Sequence, residues 1–110
     1  MNEEIESIFQ NFEVPVSFLR YDGHLNTYVV YMETDKDNSF ACDDAIAGYV
    51  TYYDFDVYSK TNYNALIDII KSKMRDAGWT WQPSRDSTDM FEKDTGFFHK
   101  TLCFAKEVQI

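Results

Sequence analysis

The sequence predicts an α+β fold in a single domain, residues 1–110. The fold is a mostly antiparallel sheet of about five strands with two helices packed on one face. Three observations predict it. The length of 110 residues fits one domain. Apolar residues recur with helical spacing in two segments only. Several other segments alternate and are rich in tyrosine, phenylalanine and valine, as strands are.

Residues 3–12 predict the first helix. Ile5, Ile8, Phe9 and Phe12 recur on one helical face. Pro15 follows and marks the exit from the helix. Because so short a helix is marginal alone, we expect it to dock on the sheet.

Residues 16–21 and 27–34 predict two strands. The Asp22-Gly23 pair between them is a turn signal, so we expect a hairpin across the DGHLN sequence. Both faces of the second strand are apolar, which is typical of a central strand. The polar segment 35–44 that follows is predicted to be a loop.

Residues 49–58 predict the longest strand. A second helix should begin at Thr61 or Asn62, which can cap it, and end before Gly78. Its apolar face is expected to contain Leu66, Ile69, Ile70, Met74 and Ala77, interrupted by Lys73.

The remaining chain predicts further strands around a polar excursion. Trp79 and Trp81 alternate as in a strand, and residues 89–93 resume it. Residues 97–108 predict the last strand, with Phe98, Leu102 and Phe104 sharing one face.

The charge balance excludes several partners. Nineteen acids against 10 bases give a net charge of −9. Such a surface disfavours binding to nucleic acid or to an anionic membrane. The sequence has no apolar run near the roughly 18 residues of a membrane helix. The opening residues MNEEIESIF lack the basic start of a signal peptide, so we expect none.

The sequence predicts neither a metal site nor a cofactor. The Asp35-x-Asp37-x-Ser39 pattern resembles the start of a calcium loop, but Phe40 stands where glycine is required. His99 and Cys103 would lie about 13 Å apart on one strand, too far to share an ion. Without an export signal, free thiols are expected at Cys42 and Cys103.

One alternative involves chemistry. Asp54 and Asp56 share a strand face about 7 Å apart, a separation that acid–base catalysis can use. With Tyr52 they could serve a small ligand-binding or enzymatic domain. Because carboxylate pairs are common on half-wet strands, the main prediction is a protein without catalytic residues.

The aromatic content predicts an interaction surface. Eight tyrosines, nine phenylalanines and two tryptophans exceed what a small core needs, and such side chains are favoured at protein interfaces. A core that is simply rich in aromatic residues, and a generic adaptor, are the alternatives. The interface is expected in the 35–44 loop and the tryptophan-rich excursion, at Asp35, Asp37, Phe40, Trp79, Trp81, Arg85, Met90 and Phe91.

Several motifs in the second half carry a family resemblance. They are Val57-Tyr58-Ser59-Lys60 at a strand end, Gly78 after a helix, and Thr95-Gly96-Phe97-Phe98-His99-Lys100 entering the last strand. This pattern resembles the small tail-terminator or tail-completion proteins of long-tailed bacteriophages and prophages. The likeness is closest between Gly48 and Phe104; before that it extends only to the order of elements.

The resemblance implies a structural protein rather than an enzyme. Such proteins form homo-oligomeric rings, typically hexamers, that cap the head-proximal end of the tail tube and dock to the head connector. Their expected partners are further copies, the tail-tube protein and the connector protein. Their expected location is the cytoplasm of the bacterial host and then the virion tail. Head–tail joining proteins of similar size are the alternative within this class.

Overall fold

A computed structural model describes residues 2–42 and 45–109, and their side chains outside residues 38–47. It has the predicted α+β architecture, with two helices and a six-stranded mixed sheet that is mostly antiparallel. The elements are α1 (Asn2–Ile8), β1 (Val16–Phe18), β2 (Thr27–Cys42), β3 (Ala45–Ser59), α2 (Asn64–Asp76), β4 (Thr80–Trp81), β5 (Met90–Glu92) and β6 (Phe97–Gln109).

The sheet is built around β3 and β6. Its strand order is β1-β2-β3-β6-β4, and β5 also pairs with β6. The outer edge of β6 is shared: β5 covers its start and β4 its middle. Between them, Ser87 N–H donates to the Thr101 carbonyl oxygen at 3.0 Å. The segment between α2 and β6 therefore covers the outer edge of β6.

The predicted hairpin between the first two strands is wrong, because β1 and β2 run parallel. Val16 lies opposite Val29, and the Val29 N–H donates to the Pro15 carbonyl oxygen at 2.8 Å. Leu19 leaves β1 in the left-handed region, with φ of 66°. The chain then returns through residues 19–26 before β2 begins, so both strands have the same direction.

The predicted loop at 35–44 is also wrong over its described part, since β2 continues to Cys42. The pairing with β3 has three irregularities, at Glu33/Asp35, Asn38/Phe40 and Phe40/Ala41, which accommodate the polar residues within the strand. A long partner strand thus overrides weak strand propensity. Asp43 and Asp44 lie outside the described residues. The resulting hairpin contributes to a long axis of 53 Å.

Both helices pack on one face of the sheet, as predicted. Phe55 lies at the centre of this core, with its ring centroid 5.8 Å from Phe9, 5.7 Å from Tyr31 and 5.5 Å from Phe104. The other main members are Ile5, Val29, Tyr53, Val57, Ile67, Ile70, Met74, Trp79 and Leu102.

The second helix begins and ends close to the predicted residues. Asn62 accepts a hydrogen bond from the Asn64 N–H at 2.8 Å, and Gly78 ends the helix with φ of 91°. Its buried face differs from the prediction: Ile67 is buried, whereas Ile69 is 42% exposed. The prediction therefore misplaced one position of the stripe, since Ile70 and Met74 are buried and Leu66 and Ala77 pack against the core as expected.

Trp79 belongs to the core and not to the predicted interface, being only 2% exposed. Its Nε1 donates to Glu4 Oε1 at 3.1 Å. The same carboxylate pairs with Lys106 Nζ, which also donates to the Ala77 carbonyl oxygen at 3.2 Å. Because the indole N–H has this partner, the whole ring can be buried at little polar cost.

Candidate interaction surface

The exposed apolar side chains of the described residues concentrate at the two sides of the sheet. Phe18, Leu19 and Leu25 form what we call the β1 patch, next to the outermost strand on one side. Met90, Phe91 and Phe98 form the β5 patch on the other side. The two other large exposed apolar residues, Ile69 and Trp81, lie on α2 and β4. Exposed apolar side chains in contact with each other, as Phe91 and Phe98 are, are typical of binding surfaces.

The β5 patch is organised by the β5–β6 pairing. Phe91 lies opposite Phe98, and their ring centroids are 4.9 Å apart. The connecting turn is held by the Gly96 N–H, which donates to the Glu92 carbonyl oxygen at 2.8 Å. Phe91 nevertheless remains 54% exposed. Beside it lies a hollow of about 400 Å³, lined by Phe98, Tyr63, Asp89 and residues 61, 62 and 64.

The β1 patch was missed by the sequence prediction. Leu19 is 58% exposed, and a left-handed backbone is unusual for leucine. Its N–H donates to the Tyr31 carbonyl oxygen at 3.0 Å, which fixes this conformation. Phe18 lies over the neighbouring strand, with its ring centroid 5.6 Å from that of Tyr31. The only signal in the sequence is the adjacent apolar pair Phe18-Leu19, and both residues were assigned to the first predicted strand.

Two of the predicted interface residues pair with each other. Both terminal nitrogens of the Arg85 guanidinium lie 3.3 Å from Asp35 Oδ2. The guanidinium carbon lies 3.8 Å from the ring centroid of Tyr52. The polar excursion and β2 are therefore tied across the sheet face that carries no helix. Because both side chains are partly exposed, the pair contributes little to stability, but it leaves fewer free charges on this face.

The other predicted residues differ in accessibility. Trp81 is 40% exposed, with Lys71 Nζ 3.7 Å from its ring centroid and its Nε1 donating to Asp86 at 2.8 Å. Met90 and Phe91 are exposed in the β5 patch, and Asp37 is exposed on β2. Phe40 belongs to β2, but its side chain lies outside the described part of the structure.

The sheet face without helices carries a stack of rings. Tyr21 stacks on Tyr28 at 4.5 Å, Tyr28 on Tyr58 at 4.8 Å, and Tyr58 on His99 at 4.2 Å between ring centroids. Burial and the nearby Asp56 raise the pKa of Tyr58 to about 12, so its phenol stays neutral. The rings thus shield this face with side chains rather than with a helix.

The two carboxylates of the enzymatic alternative have separate surroundings. Asp56 accepts a hydrogen bond from Thr101 Oγ1 at 2.6 Å, and Asp54 accepts one from Thr34 Oγ1 at 3.3 Å. Burial raises the pKa of Asp54. A hollow of about 350 Å³ borders Asp56 and Tyr58, but Asp54 and Tyr52 lie outside its lining. The pair therefore does not face a common substrate space there.

Cys103 is a buried free thiol, as predicted. Burial and the adjacent Asp54 raise its pKa to about 12, so it is not a nucleophile at neutral pH. Within residues 2–42 and 45–109, no cluster of three or more histidine, cysteine or acidic side chains is arranged to hold a metal. No helix in that part of the chain is long and apolar enough to cross a bilayer.

The two groups of exposed apolar residues lie at opposite edges of one sheet. A comparison with known protein families and with curated proteins finds no match for this chain.

Proposed function

We propose that this protein is a tail terminator or tail-completion protein of a long-tailed phage or prophage. It acts as a subunit of a homo-oligomeric ring, a hexamer in the simplest form, at the head-proximal end of the tail tube. It stops growth of the tube and offers a surface to the head connector. It works by binding alone and performs no chemistry.

The observation that carries this proposal is the position of the β1 and β5 patches on opposite sides of the sheet. A subunit with two different contact surfaces joins its neighbours head to tail, and such contacts close into a ring when the rotation allows. An enzyme would instead need polar groups converging on a cleft.

Three further features support it. The net charge of −9 suits a ring through which DNA passes, because an acidic lumen does not retain phosphates. β3 pairs with β2 before it reaches Gly48, its first residue paired with β6, and this extension of the two strands is proposed as a contact for a second partner. The resemblance between Gly48 and Phe104 points to the same class. The proposed location is the host cytoplasm during assembly and then the virion tail.

The test uses tail tubes assembled without their terminator. Purified protein is added to growing tubes, and tube length and tube ends are measured by negative-stain electron microscopy. We expect added protein to arrest growth and to leave a ring at one end. Phe91→Ala and Trp81→Ala should retain the circular dichroism of the parent protein and cap fewer tubes.

Two outcomes would contradict the proposal. Tubes that elongate unchanged in saturating protein would exclude tail termination. Binding to isolated head connectors without any effect on tubes would favour the head–tail joining alternative.

A further inference from the structure

We infer that a hollow between α2 and β4 binds a carboxylate group that is attached to an aromatic or apolar body. This α2–β4 hollow has a volume of about 500 Å³, which lies within the range of ligand pockets. It is lined by one face of α2 and by residues 79–81. The inference goes beyond the proposed function and does not depend on ring formation.

Trp81 supplies the apolar wall of the α2–β4 hollow. The residue is 40% exposed, although the orientation of its ring is fixed. Its Nε1 donates to Asp86 at 2.8 Å, and Asp86 also accepts the Cys103 N–H at 2.9 Å. A ring that is held in place before binding loses little conformational entropy when a ligand packs on it.

The α2 wall of the hollow carries two cations. Lys71 and Arg75 are four residues apart, so they lie on the same face of the helix. Lys71 Nζ is 3.7 Å from the Trp81 ring centroid and belongs to none of the ion pairs within the described part of the chain.

Arg75 has one weak partner, its neighbour Asp76. Its Nε lies 3.5 Å from the Asp76 carboxylate, and both side chains are 74% exposed, so water screens this pair strongly. The guanidinium can therefore turn towards a bound anion, which it would hold through two parallel N–H donors.

The charge of the lining selects the ligand. Among the described residues that line the hollow, Asp68 is the only acidic one and opposes the two cations, so the lining has a net charge of +1 in a chain of −9. Exposed charges act over about 8 Å at physiological salt, so these near groups outweigh the distant acids. A net charge of +1 matches a carboxylate, whereas a phosphate dianion would be only half neutralised. The exposed indole then accounts for the aromatic or apolar body.

The test is an NMR titration of the ¹⁵N-labelled protein with two probes. N-acetylphenylalanine has a free carboxylate, and N-acetylphenylalaninamide has the same ring but no charge. The chain has two tryptophans and hence two indole N–H signals, which Trp81→Phe assigns. We expect the acid to shift the Trp81 signal with a Kd of about 1 mM and the amide to bind about fivefold more weakly.

Three variants separate the hollow from the general charge of the protein. Lys71→Gln should weaken binding of the acid about fivefold, and Asp68→Asn should strengthen it about twofold by removing the opposing charge. Lys73→Gln is the matched control. It removes the same charge from the same helix, but Lys73 lies over the Phe12 ring, outside the hollow, so the Kd should not change.

Unchanged urea midpoints show that the variants retain the fold. If Lys71→Gln lowers the midpoint, Arg75→Gln replaces it and should have the same effect on binding.

Three results would overturn the inference. They are equal affinity for the acid and the amide, equal effects of Lys71→Gln and Lys73→Gln, and no shift of the Trp81 signal at about ten times the expected Kd. Tighter binding of phenyl phosphate than of the acid would overturn the choice of a carboxylate.

A last probe identifies the source of the carboxylate. It is a capped tetrapeptide with adjacent aspartate and phenylalanine. Tighter binding of this peptide supports the site and assigns it to a segment of a partner protein, whereas tighter binding of the free acid supports the site and assigns it to a small molecule. Since no tail tubes are used, failure here leaves the proposed function to the capping assay.

Discussion

Two tryptophans only two residues apart should differ sharply in their contribution to stability. Trp79 is 2% exposed and bonded to Glu4, whereas Trp81 is 40% exposed on a two-residue edge strand. Burying an indole of about 200 Å² contributes about 5 kcal/mol at 25 cal/mol per Å². Measured truncations of buried tryptophan cost about 3–5 kcal/mol. We therefore expect Trp79→Ala to lower the free energy of unfolding by about 4 kcal/mol.

Trp81→Ala should cost about 1–2 kcal/mol, because its ring rests mainly on the Lys71 side chain. Urea unfolding followed by far-ultraviolet circular dichroism, whose signal comes mainly from the backbone, measures both. With a slope of about 1.5 kcal/mol per molar urea, the midpoint should fall by about 2.7 M for Trp79→Ala and by about 0.7–1.3 M for Trp81→Ala. Equal losses, or a loss below about 1 kcal/mol for Trp79→Ala, would refute this account of the core.

Three further predictions concern single sites. Burial raises the pKa of Asp54 above its ordinary 3.8, so its ionised form destabilises the fold as the pH rises through the raised value. Asp54→Asn should therefore stabilise the protein at neutral pH but not below the ordinary pKa, and equal urea midpoints for parent and variant at neutral pH would contradict this. Cys103 should resist iodoacetamide in the native state and react after unfolding, as peptide mass mapping shows; native labelling would contradict its burial. Gly78→Ala should cost about 1 kcal/mol or more in thermal unfolding because of the φ of 91°, since the added carbon would meet only Lys106 at 3.8 Å; an unchanged midpoint would exclude backbone strain there.

Local signals were sufficient to predict some elements. Spacing along residues 3–12 placed Ile5 and Phe9 in the core, and Gly78 marked the end of α2. The strands near residues 89–93 and 97–108 also formed, as β5 and β6. In each case the information lies within one or two turns of the chain, where periodicity and end-capping residues act.

The errors arose where distant partners decide the structure. No local pattern shows that residues 35–42 have β3 as a neighbour, so a polar segment was mistaken for a loop. The direction of β1 depends on one left-handed leucine, and leucine does not signal that conformation.

The burial of Trp79 depends on Glu4, which is 75 residues away in sequence. The interface prediction was incomplete because the exposure of a side chain also depends on contacts between residues that are distant in sequence. Met90 and Phe91 are exposed as expected, but the β1 patch has no sequence signature of its own.

The position of β6 has a consequence for synthesis. This strand comes last among the described elements, yet it lies between β3 on one side and β4 and β5 on the other. A nascent chain that still lacks it has an unfinished sheet, with one edge of β3 unpaired and two short strands without a neighbour. The β5 patch, which needs β6 for its Phe91–Phe98 pair, forms only when the ribosome has released this strand. The Phe91–Phe98 edge is therefore among the last parts of the described chain that a nascent subunit can complete.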